Sequence, residues 1–282
     1  MEILNSIAAM QAWRRSLPND VRVGFAPTMG NLHPGHISLI NQAKADCDVV
    51  VASIFVNPMQ FGVNEDLDAY PRTLTADLEK LEAAGTAAAF TPTIDDIYPE
   101  GVDHHTAVAV PGLTDVLCGA SRVDHFKGVT TVVNKLFGAV QPDVAVFGEK
   151  DLQQVLIIMK MVRDLLLPTK VVTVPTMREA DGLAMSSRNG YLTPSERHLA
   201  PYFSRVLADC AEAIATASMT IEDSLEATRQ ALITHGLKID YLEARNMFDL
   251  SSATSLEEDI AIFGAVYLGT TRLIDNRVIT AP

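Results

Sequence analysis

Two periodicities alternate through the first 175 residues of this chain, and they restrict its fold more than any other feature. Short apolar runs rich in β-branched residues occupy 21–26, 49–56, 87–91, 144–147 and 171–174. Between them, apolar residues recur at helical spacing, as in Ile37, Leu39, Ile40 and Ala43, and helical stretches follow at about 73–84, 128–140 and 152–166. A strand with no polar alternation is covered on both faces, so this order predicts an α/β fold: a Rossmann-like parallel sheet with helices on both faces. Ligands of such sheets lie beyond the carboxyl ends of the strands, which directs attention to the loops after Ala26, Val56 and Phe147.

The texture changes after residue 175. Thr193-Pro194-Ser195-Glu196 combines an N-cap threonine, an N1 proline and an N3 glutamate, and predicts one long helix to about residue 215. Thr220 can cap a second helix over 221–235, and strands are expected at 239–244, 260–268 and 271–274. The organisation expected is a nucleotide- and substrate-binding domain at 1–175, followed by a smaller α+β domain at 176–282 that acts as a lid.

Charge narrows the function classes. The chain carries 22 Lys+Arg against 35 Asp+Glu, with 13 basic and 20 acidic residues up to residue 175 and 9 and 15 after it. Neither part has the basic surplus that displaces counterions from a nucleic-acid backbone, so no nucleic-acid partner is expected. The first twenty residues lack the pattern of a secretory leader and no apolar run approaches a membrane span, so the reading is cytoplasmic with no membrane partner. Cys47, Cys118 and Cys210 are odd in number and far apart, and are read as reduced and mostly structural.

Four segments can carry chemistry. In Pro27-Thr28-Met29-Gly30-Asn31-Leu32-His33-Pro34-Gly35-His36, glycines let a ligand approach the backbone and a helix N-terminus follows that would face an anion. His33 and His36 can share a face and donate to phosphate oxygens; two unrelated loop histidines or a two-histidine metal site are the other open readings, the metal one lacking a third ligand close by in sequence. Gly148-Glu149-Lys150-Asp151 again joins a strand to a helix. Lys150 suits a phosphate and Asp151 a ribose hydroxyl, a helix cap or Mg²⁺, although a solvated charged turn has the same composition. Met185-Ser186-Ser187-Arg188 suits a mobile phosphate clamp or an ordinary serine-rich turn. Asn57 and Gln60, at the end of an apolar run, offer neutral groups for a hydroxyacid or serve equally as turn formers, and His125, which precedes a helix, can face the pocket or equally be a structural histidine. His104 and His105 read as an exposed loop pair. Neither the Walker phosphate loop nor the dinucleotide-binding Gly-x-Gly-x-x-Gly occurs.

Together these segments resemble a known family. A His-x-Gly-His at the first strand-to-helix turn with a downstream Ser-Ser-Arg loop is similar to the nucleotidyltransferases related to class I aminoacyl-tRNA synthetases. More specifically, PTMGNLHPGH, SIFVNPMQF, YPRT, GEKDLQQ and MSSRNGYL resemble the pantothenate synthetases, or pantoate–β-alanine ligases, in order and spacing. The resemblance is dense from about residue 21 to 192 and continues at Arg272-Leu273-Ile274-Asp275-Asn276.

The resemblance implies an ATP-dependent condensation of pantoate with β-alanine through pantoyl adenylate, releasing AMP and pyrophosphate. It implies a site in which Pro27, Thr28, Met29, Gly30, Asn31, Leu32, His33, Pro34, Gly35, His36, Gly148, Glu149, Lys150, Asp151, Met177, Met185, Ser186, Ser187 and Arg188 line ATP. Among these His33, His36, Lys150, Ser186, Ser187 and Arg188 are the implied catalytic groups, while Gln60, Gln154, Asn57 and His125 are the implied substrate contacts. Mg²⁺ with ATP is the implied cofactor, its protein ligands unassigned, and a homodimer the implied assembly. A different adenylyltransferase sharing the histidine motif, a tRNA-charging enzyme and a nucleotide binder without catalysis are the competing readings.

Overall fold

Why the first unit is layered is visible in the burial of its strands. The computed structural model describes residues 1–62 and 67–281, and in it the chain begins with β1 (Glu2–Leu4) and α1 (Ile7–Ser16). Then follow β2 (Val23–Thr28), α2 (Pro34–Asp46), β3 (Val49–Ile54), α3 (Leu74–Ala83), β4 (Ala88–Phe90) and the short α4 (Ile94–Ile97) and α5 (Cys118–Ser121). The series continues with α6 (His125–Val140), β5 (Val144–Gly148), α7 (Leu152–Asp164) and β6 (Lys170–Val174). All six strands pair in parallel in the order β1-β4-β3-β2-β5-β6. Val23, Phe25, Ala26, Val51, Ala52, Ala145 and Val146 are fully buried on consecutive positions, as a sheet covered on both faces requires. One face carries α2, with Ile40 and Ala43 packed on Ala26, Ala52 and Val146; α6 packs on β2 and α1.

The strand order reverses between β2 and β5. From β2 the chain proceeds outward through β3, and from β5 it proceeds the other way to β6, so the loops leaving these two adjacent strands diverge. That divergence opens a crevice at their carboxyl ends, where such sheets bind ligands.

The second unit contains α8 (Pro194–Leu199), α9 (Pro201–Ala215), α10 (Ile221–Thr234) and an antiparallel sheet of β7 (Lys238–Asn246), β8 (Ile260–Leu268) and β9 (Thr271–Ile279) in that order. Phe203, Leu207, Ile214, Leu232, Leu242, Ile262 and Val266 form its core. Burying each such side chain contributes roughly 1.5–3 kcal/mol. The chain divides into 1–114, 122–149 and 153–175 for the first unit, and 115–121, 150–152 and 176–282 for the second.

Three details differ from the sequence expectation. Two elements, β1 and α1, precede the first expected strand. The single helix expected from Thr193 is broken: α8 ends at Leu199 and a new helix starts at Pro201, whose ring removes an amide donor and obstructs the preceding turn. The last strand runs to Ile279 instead of ending near residue 274. Both helix starts hold as expected, with Thr193 accepting from the Glu196 amide and Thr220 from the Asp223 amide.

Candidate active site

The turn from β2 into α2 is built by hydrogen bonds that leave little freedom. Pro27 and Thr28 end β2, and the Thr28 hydroxyl donates to the Ser53 carbonyl at 2.7 Å while accepting from the Gly30 amide at 3.2 Å. Gly30 and Asn31 have φ of 83° and 48°, two successive left-handed residues, which turns their amides inward. Asp77 of α3, fully buried, receives the Asn31 and Leu32 amides at 2.8 Å each and the Thr73 hydroxyl at 3.0 Å. Lys80, one turn on, donates to the Leu32 carbonyl at 2.7 Å.

His33 caps α2, and Pro34 takes the N1 position where a missing amide costs nothing. The cap is a reciprocal pair of histidines. His33 Nδ1 accepts from the Gly35 amide at 3.2 Å, His36 Nδ1 accepts from the His33 amide at 3.3 Å, and the ring centroids are 4.1 Å apart. An accepting Nδ1 leaves the proton of a neutral imidazole on Nε2, so both rings are set as Nε2–H donors beside a helix N-terminus. Among the described residues no group of three or more His, Cys, Asp or Glu that could hold a metal occurs.

At the end of β3, Asn57 is buried and caps the short turn Pro58–Gln60. Its Nδ2 donates to Gln60 Oε1 at 3.3 Å, and Gln60 Nε2 lies 2.9 Å from Met29 Sδ, so the β3 and β2 segments meet. His125, the first residue of α6, turns both ring nitrogens to protein: Nδ1 to the Gln60 carbonyl at 2.7 Å and Nε2 to Arg122 at 2.9 Å. His125 thus lies against Gln60, as a neighbour of the substrate candidate.

Gly148 closes β5, and Glu149 accepts from the Thr173 hydroxyl at 2.8 Å. Gln154 is half-buried on the first turn of α7, whereas its neighbour Gln153 is buried and donates to the Leu113 carbonyl at 2.9 Å. Thus 27–36, Asn57, Gln60, His125, Gly148, Glu149 and Gln154 all belong to the first unit.

The remaining candidates belong to the second unit. The Lys150 Nζ lies 3.7 Å from Asp151, and Asn276 Nδ2 donates to the Lys150 carbonyl at 3.0 Å. Met177 and Met185 sit opposite each other in a narrow loop, the Met185 amide donating to the Met177 carbonyl at 2.9 Å. Ser186 caps the turn Ser187–Tyr191 by accepting from the Arg188 amide at 3.2 Å, and Asn189 ties that turn to the Ala184 carbonyl at 3.1 Å. The base of this loop is fixed by Arg178, which makes a two-pronged pair with buried Asp275 at 2.7 and 2.9 Å. Asp181 is bound by Arg197 at 2.6 Å, and that guanidinium hydrogen bond holds its carboxyl below the usual range.

Several of these groups carry little local sequence signal. Asp77 shares a helical stripe with buried Leu81, and an acid on an apolar stripe is the one mark of its role. Tyr98, Arg122 and Asn276 touch the candidate residues only through the fold. One expectation is corrected: His105 is not an exposed loop residue, since its ring packs edge-on against Tyr98 at 5.0 Å with both nitrogens buried. Cys47, Cys118 and Cys210 form no disulfide, and Cys118 and Cys210 are buried.

The family model described as pantoate-beta-alanine ligase matches residues 2–278. A pantothenate synthetase of Hahella chejuensis (strain KCTC 2396) is 54% identical over 265 residues, 94% of each chain. One from Shewanella halifaxensis (strain HAW-EB4) is 52% identical over 273 residues, 97% of this chain and 95% of the relative. The crystal structure of pantothenate synthetase from Thermus thermophilus superposes with a TM-score of 0.93 at 42% identity, covering 99% of this chain and 100% of that one. Pantoate-beta-alanine ligase from Francisella tularensis, complexed with beta-gamma ATP and beta-alanine, has a TM-score of 0.84 at 35% identity, covering 99% of this chain and 97% of that one.

Proposed function

The chain belongs to the pantoate–β-alanine ligase family, and from that premise we propose how its residues divide the work. Its reaction is the ATP-dependent condensation of pantoate with β-alanine to pantothenate. The proposed path has two steps. A pantoate carboxylate oxygen attacks the α-phosphorus of ATP, the bond to pyrophosphate breaks, and pantoyl adenylate forms. The β-alanine nitrogen then attacks the acyl carbon, the bond to AMP breaks, and the amine proton leaves with the products.

One observation carries this assignment: the two adjacent strands at which the sheet order reverses, β2 and β5, end in the Pro27-to-His36 turn and in Gly148. A bound triphosphate in that crevice would meet the helix N-terminus and two Nε2–H donors, which strengthen as charge builds on the departing pyrophosphate. Lys150, Ser186, Ser187 and Arg188 are assigned to the triphosphate, and Gln60 and Gln154 to pantoate, with β-alanine arriving beside Gln60. Met177 and Met185 are assigned to the nucleotide. Magnesium is taken to enter with ATP as part of the substrate, offsetting phosphate charge. A homodimer in the cytoplasm is the assembly and place proposed; no helix among the described residues is long and apolar enough to cross a membrane.

The test is product analysis with Mg-ATP and pantoate, with and without β-alanine. AMP and pantothenate are expected only with all three substrates, and stoichiometric pyrophosphate without β-alanine marks a held adenylate. ADP in place of AMP refutes the path. Ser187→Ala and Arg188→Ala are expected to slow the first step; an unchanged rate removes them from the clamp.

A further inference from the structure

Tyr98 stands outside every motif of the sequence, yet it ends a chain of hydrogen bonds that reaches Gln60. Tyr98 and Asn57 are each 1% exposed, and the Tyr98 hydroxyl lies 2.7 Å from Asn57 Oδ1. The two ends of the Asn57 carboxamide are identified by partners that have one role only. The Met59 amide, a donor, lies 3.3 Å from Oδ1, and the Gly128 carbonyl, an acceptor, lies 3.1 Å from Nδ2. Tyr98 therefore donates to Asn57. The same Nδ2 meets Gln60 Oε1 at 3.3 Å, which orients the next amide in turn: its carbonyl faces Asn57 and its NH₂ faces Met29 Sδ.

The Gln60 main chain is gripped as well. Arg122 can only donate, so His125 Nε2 accepts from it, and His125 Nδ1–H donates to the Gln60 carbonyl, which also receives Arg122 Nη2 at 3.2 Å. The ring of Tyr98 is seated by Lys135, whose Nζ lies 4.4 Å from the ring centroid and donates to the Ile97 carbonyl at 2.7 Å. Burial pushes the Tyr98 phenol well above its ordinary pKa, so the hydroxyl remains a donor across the working range of pH.

We propose that Tyr98 is a positioning residue for recognition of the acid substrate, acting through Asn57 to fix Gln60 as an N–H donor while Arg122 and His125 fix its backbone. A free glutamine can present either its oxygen or its nitrogen. A carboxylate only accepts, so an amide locked with nitrogen forward favours the anionic acid over a state in which two oxygens face each other. The inference rests on the assignment of Gln60 to pantoate, and the experiment separates the two.

Steady-state kinetics on Tyr98→Phe, Gln60→Ala and the double variant form a cycle. Gln60→Ala is expected to raise the pantoate KM. Tyr98→Phe is expected to raise the pantoate KM about tenfold, as for one buried hydrogen bond, with the ATP KM and kcat changed less than about threefold. In the Gln60→Ala background the same change should add less than about twofold. A pantoate KM unmoved by Tyr98→Phe, an ATP KM raised equally, or the same cost in both backgrounds overturns the proposal while leaving Gln60 in place. No effect of Gln60→Ala itself overturns both.

Discussion

His36 Nδ1 accepts the main-chain N–H of His33 at 3.3 Å, so the histidine assigned to the phosphates also closes the cap of its own helix. The orientation proposed for catalysis and the local fold share one bond. His36→Ala should cost on the order of 10²-fold or more in pyrophosphate release from ATP and pantoate without β-alanine. Loss of the cap should cost only about 1 kcal/mol of stability, so the variant remains folded. Slowing confined to β-alanine capture would contradict the assignment.

Asp77 holds the same turn from the other side, through the Asn31 and Leu32 amides. Asp77→Asn keeps one carbonyl oxygen but sets an NH₂ group against a donor, leaving a buried amide without an acceptor. A loss of roughly 1–3 kcal/mol is expected. Because the turn leads directly to His33, the ATP KM should rise while the pantoate KM changes little. An unchanged ATP KM would show that the turn keeps its shape without Asp77.

Sequence carried the fold where burial repeats locally, and lost it where partners are distant. The strands around Phe25, Val51 and Val146 were legible because both faces are apolar, and the starts of α8 and α10 because Thr193 and Thr220 cap within three residues. β1 was not, since a three-residue strand is defined only by pairing with Ala88, Ala89 and Phe90. The candidate site divides the same way. His33, His36 and Gln60 stand in compact strings, whereas Asp77, Tyr98 and Arg122 act on residues 45, 41 and 62 positions away. Pro201 was legible in principle, but the helical pattern on both sides of it concealed the break.

The Asp181–Arg197 pair supplies a pH signature for the loop that carries Ser186 and Arg188. The Asp181 pKa is lowered in the fold, first by the Arg197 hydrogen bond, so its stabilisation is present above the unfolded carboxylate pKa of about 3.9 and is lost as pH falls through the lower folded value. Asp181→Asn should therefore melt below the parent at pH 6 to 7, and the gap should close in acid. Both side chains are partly solvated, so added salt should also narrow it. A gap independent of pH would assign it to shape instead of charge.

Gly128 of α6 sits directly over the Gln60 turn, and a Cβ there would lie 2.4 Å from the Met59 carbonyl oxygen and 2.9 Å from the Gln60 nitrogen. Backbone cannot swing aside as a flexible side chain can. Gly128→Ala should thus destabilise the protein by about 1–3 kcal/mol and push Pro58–Gln60 away from α6, raising the pantoate KM. Gly138, ten residues on in the same helix, has nothing within 4 Å of its hypothetical Cβ. There the substitution should be neutral or stabilising by about 0.5–1 kcal/mol, because alanine has less freedom to lose on folding. Melting and pantoate kinetics on the two variants separate close approach from helix propensity: equal behaviour at both positions would mean that the contact between α6 and the Gln60 turn does not set the substrate side of the site.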